Sequence, residues 1–284
     1  MLGTFLSVCS VSLLALDPLD IGWPAAFGLL QAVVPALLMN ICIVGLNQLF
    51  DVEIDKVNKP YLPLAAGDFS MRAGMIIVAV TGVAALLLGV LSGSTPLLAT
   101  LVGSLVLGIA YSVDLPFLRW KRYPVIAAGC ILAVRAIMVQ LGFYFHMKQA
   151  LGAATLTMTR PLQFAVTFMF FISIVIALFK DIPDVRGDQQ AGVRTLSVRV
   201  GVKPVFWTCI ALLELAYAGA IGVGLTSHVW WSRIAMVASH GLMGVLLFLR
   251  AGNVDLKDSK AIYKCYMYVW KLFYAEYLLI PLCR

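Results

Sequence analysis

The sequence predicts an all-α integral membrane protein of nine transmembrane helices, and three observations carry that expectation. Hydrophobic residues make up 62% of the chain and charged residues 12%, with a mean hydropathy of +0.95, whereas a soluble domain is about 45–50% apolar. Apolar segments long enough to cross ~30 Å of hydrocarbon recur from end to end, separated only by loops. Basic residues, finally, gather in alternate loops, as they do where a chain weaves through a bilayer.

In chain order the spans read as 2–16, 24–50, 72–93, 95–113, 123–145, 162–180, 204–225, 229–251 and 262–283. The first is short and starts at Met1 without the charged flank and cleavage site of a signal peptide, so it reads as a clipped span. The second runs into an acidic stretch, and Pro and Gly between 60 and 67 punctuate the turn to the third. A second turn signal at 93–96 separates the third from the fourth. The fifth carries Arg135 near its middle. The sixth ends at Lys180, where Pro183 is expected to kink or stop the helix. Lys271 lies inside the last. The whole, residues 1–284, reads as one membrane domain with no appended module. The six cysteines stand singly in apolar segments, without a C-x-x-C pair or grouping with the three histidines, and read as packing residues. His146, His228 and His240 read as loop or packing residues.

With this numbering the 2–3, 4–5, 6–7 and 8–9 connections share one side. They hold Lys56, Lys59 and Arg72, then Arg119, Lys121 and Arg122, then Lys180, Arg186, Arg194, Arg199 and Lys203, then Arg250, Lys257, Lys260 and Lys264: 15 of the 21 Lys and Arg. The positive-inside rule makes this face cytoplasmic, or its matrix or stromal equivalent. Such an excess also attracts anionic lipid or a diphosphate.

Two runs of acids lie on the same face. In Asn47-Gln-Leu-Phe-Asp51-Val-Glu-Ile-Asp55 the positions i, i+4 and i+8 fall within roughly 80° of one another on a helix, which puts Asn47, Asp51 and Asp55 on one stripe. In Lys180-Asp181-Ile-Pro-Asp184-Val-Arg-Gly-Asp188 the three aspartates span about 60° if that stretch is helical. Crowded like charges at a helix C-terminus oppose both one another and the helix dipole, so something positive should compensate. Neighbouring Lys and Arg are one answer. Mg²⁺, which takes a few carboxylate oxygens and leaves its other positions to water and phosphate, is the sharper one. An allylic diphosphate ionises when charge on its leaving group is stabilised, and a helix bundle keeps water from the resulting cation.

These two runs, the latter through Gly187-Asp188, together with Lys56-Val-Asn-Lys59-Pro60-Tyr-Leu-Pro63, resemble the two aspartate-rich motifs of the UbiA-type prenyltransferase superfamily. Within it the chain is most similar to the plastid homogentisate prenyltransferases. The likeness extends through Tyr111-Ser-Val-Asp-Leu-Pro116-Phe-Leu-Arg119-Trp120-Lys121-Arg122, Ala133-Val-Arg135 and Trp270-Lys271-Leu-Phe-Tyr274-Ala-Glu276-Tyr277. The resemblance implies a UbiA-type bundle around a central prenyl-diphosphate pocket. It implies transfer of a phytyl or geranylgeranyl group from its diphosphate to an aromatic acceptor, foremost homogentisate with decarboxylation, in tocopherol or plastoquinone-type biosynthesis. By motif position Asn47, Asp51 and Asp55 would hold one Mg²⁺ and Asp181, Asp184 and Asp188 another. Lys59, Lys121 and Arg194, with Lys56 and Lys180, would meet diphosphate oxygens. Tyr111 would face the reacting allylic carbon, where its ring favours a cation; an aromatic of the interfacial belt is the other reading. Lys271 and Glu276 receive no role.

Arg135 stands where a charge costs ~2.5–3.5 kcal/mol on insertion scales. Either it turns into the bundle and satisfies itself there, or it faces the pocket and holds the carboxylate of a homogentisate-like acceptor. The expected partners are thus a prenyl diphosphate, an aromatic acceptor and membrane lipid, with no nucleic acid. The expected place is a plastid membrane with the site toward the stroma. Two other readings stand beside this one: a flavonoid, coumarin or acylphloroglucinol prenyltransferase of the same family, and an ion-coupled transporter. The transporter would put its acids near mid-membrane on paired broken helices, whereas here they crowd at one edge among basic residues.

Overall fold

The computed structural model describes residues 1–185, 189 and 195–284. Their secondary structure is helical, with no strand among the described residues. Among the described residues nine principal helices follow the apolar segments: α1 (Leu2–Leu14), α2 (Trp23–Asn58), α3 (Met71–Leu91), α4 (Thr95–Ser112), α5, α6 (Arg160–Phe179), α7 (Val202–Leu225), α8 (Trp230–Gly252) and α9 (Ser259–Leu279). Helix α5 is composite, running from Pro124–Leu132 through a π-helical stretch, Ala133–Met138, into Val139–Ala150. Seven of the nine are long and apolar enough to cross a membrane. Helix α1 is too short, at 13 residues. Helix α9 is long enough but carries Lys260, Lys264, Lys271 and Glu276.

The boundaries follow from local chemistry. Ser70, Ser94 and Thr159 each accept a hydrogen bond from the backbone N–H three residues on and so cap α3, α4 and α6. Pro lies in the first turn of α2, α4, α5 and α6, where its missing N–H is not needed. Helix α6 stops at Phe179, before Pro183, as the proline foretold. Helix α2 departs most from its expected span. It continues beyond residue 50 to Asn58, making 36 residues, or about 54 Å at 1.5 Å per residue, so its last turns stand at the edge of the hydrocarbon or beyond.

The chain divides into two compact units, Met1–Thr157 and Met158–Arg284. In the first, α2 and α3 pack closely because glycines remove the side chains between them. A Cβ on Gly45 would lie 2.7 Å from Val78, and one on Gly82 would lie 2.9 Å from the Cys42 sulfur. Small residues bring helix backbones together in this way where lipid offers no hydrophobic drive. The second unit is cemented by aromatic rings. Phe168 packs on Tyr217 and His240, and Phe179 packs on Phe206 and Tyr266, with centroids 5.4–6.0 Å apart.

Candidate active site

The extension of α2 places Asn47, Asp51 and Asp55 on one continuous helix, so the stripe expected from their spacing is realised. Each meets a different environment. The Asn47 amide nitrogen donates to Ser112 Oγ, at the end of α4, at 3.3 Å, which leaves its amide oxygen for another partner. Asp51 accepts from Lys121 Nζ and, at 3.4 Å, from an Arg119 nitrogen. All three of those charged side chains are only 12–15% exposed. Asp55 is 5% exposed, and its carboxylate forms no hydrogen bond or ion pair with any described residue.

The cations on Asp51 arrive by an unusual backbone. Phe117 and Arg119 lie in the left-handed region, at φ 66° and 58°, which L-residues rarely adopt. The chain reverses there, a short 3-10 turn follows at Trp120–Arg122, and the Trp120 indole donates to Phe117 O at 2.8 Å. Asp114 ties the loop together by accepting from Arg119 and, at 3.0 and 3.3 Å, from Arg122. The strain of two left-handed residues is thus held by a local ion network and spent on aiming Arg119 and Lys121 at α2.

The other expected residues are placed as follows. Lys56 pairs with Glu53 at 2.8 Å on an exposed face, about 100° round the helix from Asp55. Lys59 caps α2, donating its N–H to Asp55 O at 2.7 Å, with its side chain in the open. In the second unit Asp181 and Asp184 lie on turns beyond the end of α6, so the helical arc imagined for them is not formed there. Lys180 Nζ is 4.0 Å from Asp181. Asp188 and Arg194 lie outside the described residues. Tyr111 is half-buried in the last turn of α4, next to Ser112. Arg135, also half-buried, sits in the π-helical stretch of α5, a distortion frequent at functional sites.

Among the described residues no three His, Cys, Asp or Glu side chains converge as a metal-holding group. The donor set still suits a hard divalent ion. A carboxylate with no ion pair to a described residue, a second carboxylate four residues away and an amide oxygen are oxygen ligands of the kind Mg²⁺ takes, incompletely, alongside phosphate and water. Sequence reasoning missed Arg119, counted only as a loop charge, as well as Ser112 and Asp114. It also left His240 and Glu276 apart, although His240 Nε2 lies 3.2 Å from Glu276 Oε2 with both residues fully buried. Contacts between residues 36 positions apart, or 65 as for Asn47 and Ser112, carry no periodic signal.

Similarity to known proteins agrees with this geometry. The chain is 54% identical over 284 residues to homogentisate phytyltransferase 1, chloroplastic, of Arabidopsis thaliana, covering 100% of this chain and 72% of that protein. It is 47% identical over 280 residues to homogentisate geranylgeranyltransferase of Hordeum vulgare, covering 98% and 69%. A solved structure of a UbiA homolog from Archaeoglobus fulgidus bound to DMAPP and Mg²⁺ shares the fold at a TM-score of 0.64 and 15% identity, over 99% of this chain and 95% of that one. The sequence model of the UbiA prenyltransferase family matches residues 5–272, across both units. The chain belongs to the UbiA prenyltransferase family.

Proposed function

We propose that this protein is a plastid-membrane aromatic prenyltransferase that moves a phytyl or geranylgeranyl group from its diphosphate to homogentisate, with release of the acceptor carboxylate as CO₂. The observation that carries the reading is the 54% identity, over the full chain, to a homogentisate phytyltransferase. The stripe on α2, with two cations already turned toward it, gives that chemistry a place to act.

Bound Mg²⁺ would neutralise charge on the departing diphosphate. Asn47, Asp51 and Asp55 would hold one ion, and Asp181, Asp184 and Asp188 the other. Lys121 and Arg119, drawn from Asp51 as the ion arrives, would turn to diphosphate oxygens, and by motif position Lys59, Lys180, Arg194 and Lys56 would do so too. The Tyr111 ring would face the allylic carbon as its C–O bond breaks and favour the positive charge left there. The bundle would exclude water until a ring carbon of the acceptor supplies the electron pair for the new C–C bond. Arg135 would keep the acceptor carboxylate in place as a planar fork. The basic loops, by the positive-inside rule, put this face toward the stroma.

The test is turnover by the purified protein of homogentisate with phytyl and geranylgeranyl diphosphate, followed by mass spectrometry of the product and by release of inorganic diphosphate. Prenylated, decarboxylated product with equimolar diphosphate supports the reading. Diphosphate release without prenylated ring would remove the acceptor assignment.

A further inference from the structure

Within the second unit, α6 and α7 line a cavity of about 470 Å³, inside the range of small-ligand sites. Its floor is apolar and buried, formed by Phe164, Phe168, Ala216 and Ala220. Gly219 opens it further: a Cβ there would meet nothing within 4 Å, so the missing side chain faces empty space along the trough. The trough is apolar for most of its length and becomes polar at one end, where Arg160 and Gln163 occupy the first turn of α6.

No Asp or Glu lines the groove. Arg160 is exposed and donates to Thr226 twice, to the carbonyl oxygen at 3.3 Å and to the hydroxyl. Arg233, which does not line the groove, donates to the carbonyl oxygen of Ser227, the residue after Thr226, at 2.7 and 3.2 Å. No Asp or Glu occurs in residues 115–180 or 215–254. A guanidinium has five donors, and those of Arg160 not used on Thr226 are disposed to take an anionic oxygen. An apolar trough that ends at a guanidinium has the polarity of a lipid with a negative headgroup.

We propose that the α6–α7 groove binds an anionic phospholipid, one acyl chain lying along Phe164, Phe168 and Gly219 and the phosphodiester meeting Arg160. A prenyl diphosphate shares the chain-and-anion plan but fits less well. It travels with divalent ions, and the groove's lining has no Asp or Glu to hold them, whereas a singly charged phosphodiester needs only the Arg160 guanidinium.

The experiment incubates the full chain in detergent with phosphatidylglycerol or phosphatidylcholine of the same acyl chains and counts bound lipid by native mass spectrometry. Wild type should retain one phosphatidylglycerol in preference to phosphatidylcholine by roughly fivefold, the factor expected of one cation near a lipid headgroup. Arg160→Gln should bring that ratio near one, and Arg160→Lys should largely preserve it. Gly219→Leu should abolish retention of both lipids without loss of helical circular dichroism. Thr167→Phe, on the exposed rim, repeats that test should Gly219→Leu fold poorly. No headgroup preference in wild type, or retention unchanged by either plug, would overturn the proposal. So would a raised KM for prenyl diphosphate in the plugged variants, which would make the groove a site for the substrate tail.

Discussion

The ammonium of Lys121 rests on the carboxylate of Asp51, 70 residues earlier in the chain, with Arg119 beside it. A carboxylate proposed to hold a metal ion is therefore already neutralised by protein, and the arriving ion must compete with those cations. Removing one competitor has opposite effects on the two ligands. Lys121→Ala should leave Mg²⁺ affinity unchanged or tighter, while the KM for prenyl diphosphate rises about tenfold or more, as loss of a charge-assisted hydrogen bond implies. Calorimetric titration of the metal beside steady-state kinetics checks both signs. A fall in metal affinity would make Lys121 part of the scaffold of Asp51.

Asp55 leads to a second expectation, because a carboxylate in the last turn of α2, four residues from Asp51, opposes the helix dipole and repels its neighbour while no ion is bound. Asp55→Asn should raise the melting temperature in EDTA by a few degrees, on the order of 1 kcal/mol, and lower turnover at least 100-fold. Thermal unfolding with and without Mg²⁺ measures this: the wild type should gain more from the ion than the variant does. Equal gains would mean that the ion does not reach Asp55.

Ser112 should act only through Asn47. If its hydroxyl fixes which way the Asn47 amide points, then Ser112→Ala lowers metal affinity roughly 10-fold, in the range known for groups that orient a ligand. In an Asn47→Asp background the same change should have little further effect, because a carboxylate presents an oxygen either way. Full additivity of the two substitutions would show that Ser112 acts through packing.

The buried pair of His240 and Glu276 concerns stability. His240 Nδ1 faces Met236 O at 2.7 Å, and a carbonyl can only accept, so Nδ1 carries hydrogen and Nε2 shares a proton with Glu276. Removing one partner leaves the other stranded, at a cost of about 3 kcal/mol or more. Thermal unfolding should therefore rank His240→Leu below the His240→Leu/Glu276→Leu double variant. The reverse order would mean that the pair is not coupled.

How much of this was legible in the sequence depends on the range of the interaction. The helices were, because apolar length and Pro, Ser and Thr at their starts are local signals; α6 ended before Pro183 for the reason the proline gives. The stripe Asn47, Asp51 and Asp55 was legible for the same reason, being a matter of helical period. Three features were not. Continuation of α2 to Asn58 runs against its own terminal acids, which a local reading takes as an exit. The left-handed backbone at Phe117 and Arg119 occurs in residues that give no turn signal of the Gly or Asn kind. The π-helical stretch around Arg135 is set by packing, and residues 133–138 contain neither Pro nor Gly to announce it.

The central claim is that aspartates of the two acidic runs act together, through divalent ions, on a prenyl diphosphate. It is tested most directly by product formation from homogentisate and phytyl diphosphate with purified wild type, Asp51→Ala and Asp181→Ala, each with Mg²⁺ and with EDTA. The account predicts prenylated product from wild type with Mg²⁺, none in EDTA, and a loss of at least 100-fold in each variant with membrane insertion intact. Substantial product in EDTA, or near-normal turnover in either variant, would contradict it.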